Sequence, residues 1–199
     1  MEFRELAVSG SWAFTPRQFP DDRGLFLEAF KGPVFAEAVG HRLTVAQVNV
    51  SVSKAGTVRV VHFADVPPGQ GKYVSCMRGA LLDIIIDIRV GSPTFGLVDS
   101  VVLDDVDRRA VYLSEGLGHA FVALQDDTTA SYLCSTPYNP KAEHGITPVD
   151  PDLELPLPAG LPPLLSPKDT AAPTLAQARE QGLLPRWEDC KEFIASLRE

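Results

Sequence analysis

Eight short apolar segments, each bounded by turn residues, occupy most of residues 42–156: 44–53, 57–64, 72–77, 80–89, 98–103, 110–113, 119–124 and 129–135. The punctuation between them is strong: Lys54-Ala-Gly56, Pro67-Pro-Gly69, Gly91-Ser-Pro93, Asp104-Asp105 and Gln125-Asp-Asp127. Many short strands at regular spacing predict an antiparallel barrel or jelly roll. The run Asp83-Ile-Ile-Ile-Asp-Ile-Arg89 is apolar on both faces. It reads as a central strand, buried on one side by the barrel core and on the other by a second sheet or by a subunit, and the latter favours a dimer.

The flanks read differently. Residues 1–41 mix short strands with one helix around Pro33–Val39, closed by Gly40. Residues 157–199 begin proline-rich and end helical: Thr174-Leu-Ala-Gln177 fits a capping box, Gly182 a stop, and Trp187–Arg198 a second helix. A chain of 199 residues with 45% hydrophobic content has enough apolar mass for one domain. We expect a single unit over 1–199, with its barrel core at about 42–156 and a tail at 157–199.

Charge and cysteine content narrow the function. The net charge of −8 argues against nucleic-acid binding, which needs a basic footprint, while leaving room for a locally basic pocket. The three cysteines, Cys76, Cys134 and Cys190, are odd in number and far apart, as in a reduced, cytoplasmic protein. The charged N-terminus carries no signal peptide, and the longest apolar run is interrupted by Asp83 and too short to span a bilayer. No membrane partner is expected.

The segment Thr57-Val-Arg-Val-Val-His-Phe63, followed by Lys72, brings an arginine, a histidine and a lysine to the strand region. Strict alternation puts Val58, Val60 and His62 on one face, and Arg59, Val61 and Phe63 on the other. A lone histidine among valines is ordinarily a satisfied core residue; its polar neighbours, Gln47 and Asn49 upstream and Lys72 downstream, argue for a site. A metal centre on such a fold needs two histidines two residues apart, a carboxylate and a third histidine. Position 64 is Ala64, and His62 with His119 supplies only two, so no metal is expected. The histidines are then available for acid–base work.

Several longer segments carry a resemblance. Phe19-Pro-Asp-Asp-Arg-Gly-Leu-Phe-Leu-Glu28, Gln47-Val-Asn-Val-Ser-Val-Ser53, Gly91-Ser-Pro-Thr-Phe-Gly96, Tyr138-Asn-Pro-Lys-Ala-Glu143 and Leu165-Ser-Pro-Lys-Asp169 occur in order and at matching spacing. From about residue 3 to residue 187 the chain resembles the dTDP-4-dehydrorhamnose 3,5-epimerases of deoxysugar biosynthesis. The resemblance implies a mainly β, cupin-like antiparallel jelly roll with a short helical C-terminal tail. It further implies a homodimer needing no cofactor and no metal, and a dTDP-linked 4-keto-6-deoxy sugar as substrate. Carbons 3 and 5 of that sugar flank the keto group, which acidifies their protons. Epimerisation then requires a base, a group that stabilises the enolate, and an acid on the opposite face.

By this resemblance His62 is the base, Asp169 its orienting partner, Lys72 the enolate stabiliser and Tyr132 the acid. Without it, Asp169 reads as a solvated loop residue, Lys72 as a strand-edge lysine and Tyr132 as packing. Arg59 and His119 are implied to line the cavity near the sugar and phosphates, with Gln47 and Asn49 on sugar or phosphate. Arg23, Phe26 and Glu28 are implied to reach the neighbouring subunit's site, Arg23 toward the diphosphate. Phe26 and Tyr138 offer flat surfaces to the thymine, Glu143 supports them, and Lys168 adds positive charge. Arg59 and His62 lie on opposite faces of an ideal strand, so a bulge or strong twist is required if both meet the ligand.

Two departures stand out. Val60 and Ala120 occupy positions where the family carries glycine, and both are expected to tighten space near the sugar. This raises single-carbon epimerisation as an outcome. The alternatives are a ketoisomerase on the same nucleotide sugar and a non-catalytic sugar-nucleotide-binding cupin.

Overall fold

The computed structural model describes residues 1–198. Its strands are β1 (Glu2–Glu5), β2 (Ser11–Thr15), β3 (Gln18–Asp21), β4 (Gly24–Leu27), β5 (Gln47–Ser53), β6 (Val58–Ala64), β7 (Lys72–Arg78), β8 (Ala80–Ile86), β9 (Val98–Asp104), β10 (Ala110–Leu113), β11 (Gly118–Ala123), β12 (Thr128–Cys134) and β13 (Glu143–Ile146). Four helices accompany them: α1 (Gly32–Val39), α2 (Pro167–Thr170), α3 (Leu175–Glu180) and α4 (Trp187–Ser196). A six-stranded sheet, ordered β1-β2-β10-β7-β12-β5, faces a five-stranded sheet, β13-β6-β11-β8-β9, while β3 and β4 form a separate hairpin. Every named pairing is antiparallel, the jelly-roll arrangement anticipated from strand spacing.

Three apolar layers hold the sheets. Between them lie Val74, Cys76, Val111, Leu113 and Ala130 from one sheet, against Leu81, Ile85, Leu103 and Phe121 from the other. Outside the six-stranded sheet, α1 packs Phe35 and Val39 on Phe14, Tyr73 and Tyr112. Outside the five-stranded sheet, Leu153, Leu175, Ala178 and Leu184 of the C-terminal segment cover Val58, Val61, Ile84, Ile86 and Val122. Strand β8 is therefore apolar on both faces because the chain folds its own tail over it, so this strand lends no support to a subunit contact. Its run also ends earlier than expected. Asp87 leaves the ladder to clamp the buried Arg89 at 2.8 Å, and Trp187 of α4 lies over that guanidinium at 4.4 Å.

The helix boundaries follow local chemistry. Thr174 and Gln177 form the reciprocal cap of α3, and Gly40 ends α1 in the left-handed region at φ 89°. The three cysteines are free and buried. No described helix is long and apolar enough to cross a membrane.

Candidate active site

Strand β6 does not keep strict alternation. His119 of β11 pairs with His62, and Phe121 pairs with Arg59, so two steps on β11 match three on β6. This is a β-bulge, and it reverses the facing of the side chains beyond it relative to those before it. Val58, Val61 and Phe63 consequently enter the outer apolar layer. Arg59 and His62 face the same inner cavity, of about 110 Å³, together with Lys72, His119, Phe121 and Tyr132. The grouping of Val60 with Val58 and His62 expected from alternation is thus corrected, and the bulge that the site required is present.

These side chains converge from four strands: Arg59 and His62 from β6, Lys72 from β7, His119 and Phe121 from β11, and Tyr132 from β12. Such convergence lets one small cavity hold several polar groups without crowding any one strand. Around His62 the field is positive. Burial, and then the cationic or potentially cationic Lys72, His119, Lys168 and Arg59, push the imidazole down to about 3. The ring is neutral at pH 7 and so able to accept a proton. Burial likewise lowers the Lys72 ammonium, opposed by Cys134, Glu143 and Asp83. Burial raises the Tyr132 phenol, which keeps its proton at neutral pH.

His119 is held from behind: its Nε2 stands 2.6 Å from Oδ1 of the fully buried Asp83. In the sequence Asp83 stands only as an interruption of an apolar run. A carboxylate in a strand buried on both faces needs a partner, and that signal was available.

A second cavity of about 330 Å³ adjoins the first at His62, lined also by Val60, Tyr138, Glu143, His144, Lys168 and Asp169. Asp169 is near His62 without a hydrogen bond to it among the described residues. Its carboxylate instead accepts from the Ser166 backbone N–H at 3.3 Å, completing the cap of α2. Gln47 and Asn49 sit on the edge strand β5 and bond each other at 2.7 Å. Gln47 Oε1 also accepts the Tyr138 backbone N–H at 2.9 Å. Asn49 lies directly opposite Tyr132 across the ladder.

Three expected site residues lie apart. Arg23, at the tip of the β3–β4 hairpin, pairs with Asp21, Phe26 is 66% exposed, and Glu28 bonds Lys31. None of them lines either cavity of its own chain.

Both departures border the site: Ala120 is among the residues lining the inner cavity, and Val60 lines the adjoining one beside His62. Val60 points to the outer cavity, over Gly145, where a Cβ would stand 3.3 Å from its methyl group. The Ala120 methyl packs in the layer beneath the C-terminal segment. Val60 thus adds its methyls to the cavity that also holds His62 and Asp169, while the Ala120 methyl packs against the outer layer.

Comparisons with known proteins agree with this picture. Residues 5–177 match the family model of dTDP-4-dehydrorhamnose 3,5-epimerase. An enzyme of that name from Mycolicibacterium smegmatis is 53% identical over 198 residues, covering 100% of this chain and 98% of its own. The solved rmlC epimerase of Mycobacterium tuberculosis superposes with a TM-score of 0.97 at 52% identity, covering 100% of both chains. ChmJ, a 3'-monoepimerase from Streptomyces bikiniensis solved with dTDP-quinovose, gives 0.94 at 47%, covering 97% of this chain and 98% of its own.

Proposed function

The chain belongs to the dTDP-4-dehydrorhamnose 3,5-epimerase family, and from that premise we propose that it epimerises a dTDP-4-keto-6-deoxyhexose at carbons 3 and 5. It is an isomerase. The observation that carries the reading is the bulge that turns Arg59 and His62 into one cavity with Lys72, His119 and Tyr132.

The steps follow from that arrangement. His62 takes the proton from the carbon beside the keto group. The C–H electron pair becomes a C=C bond, and the carbonyl π pair moves to oxygen, where Lys72 stabilises the developing charge. The enolate then collapses, and carbon takes a proton from the Tyr132 hydroxyl on the opposite face. Solvent removes the proton from His62 and restores that of Tyr132. The cations that depress His62 are countered once a diphosphate binds beside them, which raises the ring's basicity when substrate is present. Asp169, in the adjoining cavity, adds to the same effect.

Proton NMR of dTDP-4-keto-6-deoxyglucose in heavy water tests this. Deuterium at carbons 3 and 5 with inverted configuration is the expected result. Deuterium at one carbon alone would replace the proposal with a single-carbon epimerase, and binding without exchange would replace it with a non-catalytic module.

The proposed assembly is a homodimer in which Arg23, Phe26 and Glu28 reach the partner's site. Support comes from the edge strand β5, whose Val48, Val50 and Val52 form an exposed apolar row, Val50 at 65% exposure. Such a row on a sheet edge invites a second chain. Light scattering is expected to give twice the 21.6 kDa chain mass for the wild type and a monomer for Val50→Asp. A monomeric wild type would refute the assembly.

A further inference from the structure

Four carboxylates are nearly inaccessible: Asp83, Asp87, Asp150, which accepts the Leu175 backbone N–H at 2.6 Å, and Glu115. The first two are explained by His119 and Arg89. Among the described residues Glu115, 1% exposed, forms no ion pair, and it lines neither cavity. It stands two residues beyond the end of β10, beneath the loop that leads into β7.

Besides lying near the Tyr112 phenol, Glu115 makes its hydrogen bond toward the start of β7. Glu115 Oε1 accepts the Ser135 hydroxyl at 2.8 Å. The same Ser135 oxygen accepts the Gly71 backbone N–H at 2.8 Å, and the Ser135 N–H donates to the Gly71 carbonyl at 2.9 Å. The chain of bonds therefore ends on the residue before Lys72. The loop also rests on the Glu115 side chain. A Cβ on Gly71 would stand 2.8 Å from Glu115 Oε1, and one on Gly69 would stand 2.7 Å from Glu115 Cβ. Lys72 is the first residue of β7, paired with Leu113 on one side and Cys134 on the other. Glu115 and Ser135 follow those two partners closely in sequence. The point where β7 begins is thus pinned from both neighbouring strands through one carboxylate.

We infer that Glu115 is a positioning residue for Lys72, acting through Ser135 and Gly71 to set where the lysine meets the keto oxygen. The inference rests on the proposed role of Lys72. A buried carboxylate that accepts from a serine hydroxyl which itself receives a backbone N–H leaves that loop little freedom. Small displacements of a charge-stabilising group lower the chemical step without weakening ground-state binding.

A double-mutant cycle on the full chain with dTDP-4-keto-6-deoxyglucose tests it. Glu115→Ala and Ser135→Ala are each expected to lower kcat roughly 10- to 100-fold with KM changed less than about twofold. Glu115→Gln keeps an oxygen for the Ser135 hydroxyl and is expected to recover kcat to within about threefold of wild type. In a Lys72→Ala background, Glu115→Ala should cost less than about a further twofold, because the two act as one unit. Additive losses in that background, or a Gln variant as slow as the Ala variant, would overturn the inference while leaving the role of Lys72 intact. A Lys72→Ala enzyme with wild-type kcat would overturn both. Should Glu115→Ala fail to fold, Ser135→Ala, which removes a single oxygen, carries the same cycle.

Discussion

His62→Ala is expected to abolish the exchange of substrate protons with solvent, lowering it by roughly 10²- to 10⁴-fold, the range typical of a positioned general base. Affinity for dTDP should change little, because the nucleotide contacts proposed here belong to other residues. Deuterium wash-in followed by NMR, beside calorimetric titration with dTDP, separates the two effects. The pH profile adds a sign. In the free protein the ring is neutral above about 3, held there by burial and by the cations Lys72, Lys168 and Arg59. The base form is therefore fully present from pH 5 to 8, and His62 should impose no acid limb on kcat/KM, which reports the free enzyme, in that window. Wild-type rates of exchange in the alanine variant would remove His62 as the base.

Tyr132→Phe is expected to separate two events that the wild type couples. Loss of the hydroxyl should reduce formation of inverted product by roughly 10²- to 10³-fold. Proton removal by His62 should continue, so substrate collected before turnover would carry deuterium with its original configuration. The phenol suits this task because burial holds its pKa above the usual value, keeping the proton in place until the enolate forms. Equal losses of exchange and inversion would assign Tyr132 a role in binding or packing instead.

These expectations could be framed from sequence because most of the chemistry sits on segments with strong local signals. The strand succession over 42–156, the capping box at Thr174 and Gln177, and the closure of α1 by Gly40 depend on side-chain period and turn stereochemistry. Those are properties of neighbours along the chain. The identity of His62, Lys72, Tyr132 and Asp169 as a set came from resemblance, since nothing local distinguishes such residues from packing or solvated ones.

The class of architecture and the inventory of polar groups available to a site are written along the chain. Tertiary structure decided which of them meet. The bulge in β6 exists only in register with β11, and it reverses the face assigned to every residue on one side of it. The covering of β8 by the C-terminal segment, the pairing of Asp83 with His119 across 36 positions, and the chain of bonds from Glu115 through Ser135 to Gly71 are likewise long-range. A periodic pattern specifies how a segment presents its faces, whereas burial and hydrogen-bond satisfaction depend on what is packed against them, and that is settled only when distant segments come together.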